Sequence, residues 1–184
     1  MTDISARYAR LAETMTRRVD GIPDGAWDDP TPCEEWTVRD LVKHLAETHA
    51  MFGGFVKLPA AEGPDPADDP RGAWAAARDQ MQAWLDDPEV AEAEFEGMGG
   101  TTTLQDSVNQ FICFDLNVHG WDLAHATGQD ETIDPEELPQ LWQDVEGLGD
   151  MIRSSGTCGP EVAAPQDATE QEKLLAYLGR DPRS

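Results

Sequence analysis

Two polar residues, Asp115 and His119, lie on an otherwise apolar helical stripe and are the clearest candidates for chemistry in this sequence. The stripe reaches them through Leu104, Val108 and Ile112. A lone buried carboxylate costs several kcal/mol unless something compensates its charge. An Asp and a His four residues apart lie on one face of a helix, so both can face one metal ion. This donor pair suits zinc, iron, nickel or manganese better than calcium or magnesium.

Two simpler interpretations compete with a metal site. Asp115 and His119 could hydrogen-bond each other, or the helix could be rotated so that both reach solvent. A third donor on another helix would favour the metal, and the second predicted helix offers both His44 and His49 at the edge of its apolar stripe. Periodicity alone does not choose between these two histidines. His125 lies off the stripe, which predicts a surface residue or one that supports a ligand from behind.

Helices joined by loops must position these residues. Apolar residues recur at steps of three and four, and capping residues, Gly and Pro mark the ends. The predicted helices cover residues 4–19, 37–52, 72–86, 103–127, 134–152 and 169–179, and the second of them is expected to stop at Gly53 and Gly54. Residues 57–72 and 97–103 are predicted as an exposed loop and a flexible connection. No segment alternates with a period of two, so we predict an all-α bundle and one domain over residues 1–184.

The composition excludes several classes of protein. Acidic residues number 37 against 13 basic ones, and the formal charge of −24 repels nucleic-acid backbones and anionic lipid surfaces. No stretch approaches 18 consecutive apolar residues, and the first residues lack the features of a secretion signal. We therefore expect a cytoplasmic protein that binds neither nucleic acid nor membrane. A solvated acidic surface is a better interpretation of the charge than an acidic partner-binding face.

The three cysteines do not form a disulfide framework. Cys33, Cys113 and Cys158 are odd in number and widely spaced, without a C-x-x-C pair. Cys113 lies within an apolar helical pattern and is expected in the core. Cys33 and Cys158 lie in turns containing Pro or Gly, where packing is the commoner role of a cysteine and reactivity the rarer one.

Longer motifs add a resemblance to a known family. Residues 31–45 read TPCEEWTVRDLVKHL, and residues 115–128 read DLNVHGWDLAHATG. Both resemble signatures of actinobacterial proteins related to the metal-binding domain of mycothiol-dependent maleylpyruvate isomerase, which belong to the DinB-like superfamily. The tail segments 159–162 and 174–182 also resemble single-domain members. The resemblance spans nearly the whole chain in the expected order.

The resemblance implies a DinB-like four-helix bundle with additional short helices. It implies a divalent metal, usually zinc, held by one histidine of the second helix and an acid-x-x-x-His pair of a later helix. These positions are His44, Asp115 and His119. The relatives have Glu where this chain has the shorter Asp115, so this carboxylate either ligates directly or orients a ligand. Other DinB-like proteins use three histidines, so nickel, iron and manganese stay open beside zinc.

The resemblance also implies a function. Three protein ligands leave a coordination position open, as in catalytic sites. The leading hypothesis is a metal-dependent transferase or isomerase in which mycothiol attacks a small electrophilic molecule. The isomerase has a second, C-terminal domain that this sequence lacks, so its specific activity is not expected. The alternatives are a non-catalytic metal-binding or stress-response module, and a metal-dependent hydrolase or tailoring enzyme of secondary metabolism. DinB-like proteins often dimerise, which by analogy allows a homodimer.

Overall fold

The computed structural model describes residues 3–97, 99–149, 151–154 and 158–183. The protein is mostly helical, as predicted, and it divides into two compact units, Met1–Glu131 and Thr132–Ser184. The single domain over residues 1–184 stays a prediction. Among the described residues, no helix is both long enough and apolar enough to cross a lipid bilayer.

Among the described residues, the first unit contains the four longest helices and two short ones. They are α1 (Asp3–Asp20), α2 (Val38–Phe55), α3 (Pro70–Asp86), the short α4 (Pro88–Ala91), α5 (Leu104–Ser107) and α6 (Cys113–Thr127). A π-helical segment, Val108–Ile112, connects α5 to α6. Helix α1 packs against α3 and α6, and α2 packs against the same two helices. Their shared core is built from large apolar side chains: Tyr8, Met15, Leu41, Leu45, Trp74, Met81, Leu85, Leu104, Ile112 and Leu123.

The helix boundaries follow from local chemistry. At the start of α2, the Thr37 side chain accepts from the backbone N–H of Asp40, and the Asp40 carboxylate accepts from the backbone N–H of Thr37. This reciprocal pair satisfies two backbone groups that a helix start leaves free. At the far end of α6, Gly128 adopts a left-handed conformation with φ of 66° and ends the helix. The helix start predicted at residue 37 and the helix end predicted at residue 127 are therefore confirmed.

A small hairpin corrects the expectation of a strand-free fold. Strands β1 (Glu94–Gly97) and β2 (Gly100–Thr103) pair antiparallel, with Phe95 opposite Thr102. We expected residues 97–103 to form a flexible connection. Residue 98 lies outside the described residues. Four-residue strands are too short to show alternation, and the β-branched threonines of β2 favour extended pairing. The all-α prediction is therefore incomplete at this point.

Helix α2 continues to Phe55 through Gly53 and Gly54, where we expected it to stop. The reason is the packing of α2 against α3. A Cβ atom on Gly53 would overlap the indole ring of Trp84, whereas a Cβ atom on Gly54 would meet no atom within 4 Å. Gly53 therefore allows a close approach between two helices rather than ending one of them.

This difference between adjacent glycines gives a testable prediction for the free energy of unfolding. Gly53→Ala should destabilise the protein by about 1–2 kcal/mol, because overpacking typically costs 1–3 kcal/mol and better helix propensity returns up to ~1 kcal/mol. Gly54→Ala, the matched control, should stabilise it by up to about 1 kcal/mol through propensity alone. Urea unfolding of the two variants measures both values, and equal effects would contradict the close approach.

The second unit contains α7 (Leu138–Leu148), α8 (Met151–Ser154) and α9 (Glu170–Tyr177). The helix predicted over 134–152 is wrong at both ends. Pro139 lies in the first turn of α7, and its missing N–H and bulky ring exclude a helix that begins four residues earlier. Gly149, with φ of 51°, ends α7 before Ile152, and residue 150 lies outside the described residues.

Candidate metal centre

Two helices of the first unit bring His44, Asp115 and His119 together. His44 comes from α2, and Asp115 and His119 lie one turn apart on α6. One ligand atom of each side chain lies within 4.8 Å of the others. Nε2 of His44 is 3.5 Å from Oδ2 of Asp115, and the two imidazole rings meet edge to face with centroids 5.2 Å apart. The three residues that the resemblance selected thus form one cluster in the structure.

The structure gives His49 a different place from His44. Nδ1 of His49 donates to the Leu45 carbonyl at 2.7 Å, so Nε2 is the acceptor and takes a hydrogen bond from the Tyr8 hydroxyl at 3.0 Å. Its ring also packs edge-on against Trp74. Both ring nitrogens are therefore engaged within the core, and His49 belongs to neither group of potential metal ligands found among the described residues. Geometry separates two histidines that periodicity could not.

Asp122 lies behind His119. Its Oδ2 accepts a hydrogen bond from Nδ1 of His119 at 3.0 Å, and the carboxylate is 0% exposed. A carboxylate in this position fixes the tautomer of an imidazole and leaves Nε2 available for a ligand. From the sequence alone, Asp122 could either accept a hydrogen bond from a ligand histidine or be solvated, and the structure shows the buried hydrogen bond. Its spacing of three residues from His119 was the signal.

Sequence reasoning missed the position of Cys33. Its sulfur donates to Oδ2 of Asp122 at 3.2 Å and lies 3.7 Å from Nδ1 of His119. Cys33 precedes α2 in a turn that is closed by hydrogen bonds from Thr31 and Trp36. Cys113 is buried in the core, as expected.

Trp36 covers the histidine rings. Its indole lies 4.7 Å from the ring of His44 and 5.8 Å from that of His119, measured between centroids. The side chains of His44 and Asp115 remain partly accessible, at 32% and 20% exposure. Trp36 is itself partly buried and packs against the core of the first unit. Access is therefore open on the side of His44 and Asp115.

The electrostatics of the cluster favour a cation. Burial of His119 disfavours its charged form, but the hydrogen bond to Asp122, the contact with Cys33 and the nearby Asp115 outweigh burial and raise the pKa of His119 to about 10. The surroundings of this imidazole therefore stabilise positive charge. A proton or a metal ion can supply that charge, and the two compete because a ligand nitrogen must be unprotonated.

His125 lies outside the cluster. Its Nδ1 is 3.1 Å from a carboxylate oxygen of Glu131, and its ring stacks on Trp121. It is partly exposed, as a residue off the stripe should be.

Helix α6 itself is buried on nearly every side between Cys113 and Ala124, including Asn117. The amphipathic stripe predicted for it therefore understates its burial.

Comparison with known proteins identifies the family. The model of the mycothiol maleylpyruvate isomerase N-terminal domain matches residues 8–124, more than half of the chain. Two uncharacterized proteins, from two strains of Mycobacterium tuberculosis, are each 31% identical over 165 residues, which is 84% of this chain and 85% of theirs. No solved structure matches. The family and the clustered ligand groups together indicate a metal-binding function related to mycothiol. The chain belongs to the mycothiol maleylpyruvate isomerase N-terminal domain family.

Proposed function

We propose that His44, Asp115 and His119 hold a divalent metal ion, zinc in the first place, and that the protein uses it to transfer mycothiol to a small electrophilic molecule. The observation that carries this proposal is the convergence of the three ligand atoms from α2 and α6 within 4.8 Å. The fold we propose around it is a DinB-like four-helix bundle. It is supported by the packing of α1 and α2 against both α3 and α6.

The donor set fits such an ion. Imidazole and carboxylate donors lie about 2.0–2.2 Å from zinc, which places neighbouring ligand atoms of a tetrahedral site roughly 3.3–3.6 Å apart. The 3.5 Å between Nε2 of His44 and Oδ2 of Asp115 agrees with this spacing. Asp122 occupies Nδ1 of His119, so the other ring nitrogen is the one available to the ion. Nickel, iron and manganese accept the same donors.

The chemistry divides between the ion and the chain. A bound zinc ion supplies a Lewis acid that lowers the pKa of a coordinated thiol or water near neutrality. Three protein ligands leave a position for the sulfur of mycothiol. Asp122 holds the orientation and tautomer of His119, and the Trp36 indole packs against both imidazoles. The partly exposed edge at His44 and Asp115 is where we place the electrophile.

A thiol-consumption assay tests the proposed reaction. Purified protein loaded with zinc should consume mycothiol in the presence of a panel of small electrophiles, and omitting either zinc or mycothiol should abolish turnover. Metal-loaded protein that consumes no thiol across the panel would contradict the transferase and favour a non-catalytic metal-binding module. Conversion of the electrophile by water without thiol would instead indicate a hydrolase. Light scattering of the same preparation reports whether the protein is a homodimer.

Asp122→Asn tests the supporting role of the buried carboxylate. An amide can present its N–H to His119 and favour the wrong tautomer, and loss of such a partner typically lowers metal affinity by about 10–100-fold. Glu131→Gln is the matched control, because Glu131 pairs with His125 away from the cluster. Zinc titration against a competing chelator measures both affinities. Equal zinc affinities in the two variants would show that Asp122 does not support the metal site.

A further inference from the structure

The second nitrogen of His119 lies in its own group of potential ligands. The sulfur of Cys33 lies 3.2 Å from Oδ2 of Asp122 and 3.7 Å from Nδ1 of His119. Oδ2 of Asp122 and Nδ1 of His119 are 3.0 Å apart. One ligand atom of each residue lies within 4.8 Å of the others. This group faces the opposite edge of the imidazole from the nitrogen assigned above to the first ion.

These separations agree with the dimensions of a coordination sphere. Zinc–thiolate bonds are about 2.3 Å long and zinc–imidazole bonds about 2.0–2.1 Å, so tetrahedral sites place sulfur and nitrogen ligands roughly 3.5 Å apart. The observed triangle needs shifts of only a few tenths of an ångström. Sulfur, nitrogen and carboxylate oxygen together form a softer donor set than His44 and Asp115 provide with His119.

Charge and burial favour a cation here as well. The Asp122 carboxylate is fully buried, and His119 is nearly so. A cation held by these three groups would compensate the charge of the buried carboxylate. Cys33 is partly exposed, so an ion can enter from its side.

We propose that Cys33, Asp122 and Nδ1 of His119 form a second cation site, selective for softer divalent ions such as Cd²⁺, which prefer a thiolate donor more strongly than Zn²⁺ does. On binding, Cys33 and Nδ1 of His119 each release one proton to solvent, and the sulfur and nitrogen each donate one electron pair to the ion. A neutral imidazole has a single free electron pair, so an ion at this site competes with an ion at His44 and Asp115 for His119. The site stands independently of the thiol-transfer reaction proposed above.

Cadmium titration of the metal-free full-length protein is the test. Cd²⁺ should produce the ultraviolet thiolate-to-metal charge-transfer band, and Cys33→Ser should abolish it. His44→Ala should keep the band, because His44 belongs to the first group of ligands only. Cys158→Ser is the matched control and should also keep it. A band that survives Cys33→Ser, or no band in the wild-type protein, would overturn the proposal.

Loss of the band in His44→Ala would also overturn it, since Cys33 would then belong to the first site.

A second measurement avoids dependence on the variants. Cd²⁺ should slow alkylation of Cys33 by iodoacetamide in the wild-type protein at least about tenfold, a factor that corresponds to 1.4 kcal/mol of protection. Mass spectrometry assigns the alkylated cysteine. An unchanged alkylation rate at saturating Cd²⁺ contradicts the second site while leaving the His44 site untouched.

Discussion

His44→Ala and His119→Ala should each remove the metal ion from the purified protein. An apparent zinc-binding free energy of about 10–16 kcal/mol, divided among four ligands, assigns roughly 3 kcal/mol to each, so losing one ligand should weaken binding about a hundredfold or more. His119 should be the more sensitive position. It is buried and supported by Asp122, whereas His44 is partly exposed.

Elemental analysis of protein purified without chelators or a histidine tag makes the measurement. His125→Ala is the matched control, because this histidine also lies on α6 but pairs with Glu131. It should retain the ion at the wild-type level. Full retention of metal in both His44→Ala and His119→Ala would show that the ligand assignment is wrong, whatever reaction the protein performs.

The buried imidazole of His49 should make stability depend on pH. Burial lowers the pKa of His49 from 6.5 to about 4, although its hydrogen bond to Leu45 opposes the shift. Between these two values the unfolded chain binds more protons at this position than the folded protein, so protonation favours unfolding. The contribution of His49 is fully present above pH 6.5 and disappears as the pH falls to 4. It amounts to about 3 kcal/mol at most, at 1.36 kcal/mol for each pKa unit.

Comparison with His49→Gln isolates this effect from other titrating groups. The variant should be less stable than the wild type at pH 7, because it disturbs the contact with Tyr8. The difference should shrink as the pH falls from 6.5 to 4, since glutamine does not titrate. Urea unfolding of metal-free protein across this range gives both curves, and curves that stay parallel would refute the assignment.

Much of the helical architecture could be predicted from the sequence because its signals are local. The apolar periodicity of α1 and the capping of α2 act within one or two turns, and both ends of α1 and the start of α2 lie within a few residues of the prediction. The boundaries that failed depended on longer-range or stronger local effects. Gly53 packs closely against Trp84 of another helix, and Pro139 excludes the helix start that was predicted at residue 134.

The candidate site was only partly visible in the sequence. The spacing of Asp115 and His119 revealed one face of a helix, and the resemblance selected His44 over His49 before the geometry did. The proximity of Cys33 to His119 was not predicted, because 86 residues separate them and no periodic pattern connects a turn to a helix. Contacts between a loop and a distant helix are set by tertiary packing, which leaves no local signature.

The π-helical segment Val108–Ile112 has a consequence for how this site could change over time. One wider turn carries an additional residue, so everything after it is rotated by about 100° relative to an uninterrupted α-helix. The helical turn that contains Leu104 and the stretch from Asp115 onward therefore belong to one continuous helix, but their side chains point in directions that an uninterrupted α-helix would not give. Deletion of a single residue in this turn would rotate the side chains of Asp115 and His119 about the helix axis, while the packing of Leu104 stayed unchanged. A single deletion can therefore give the same ligands a new orientation.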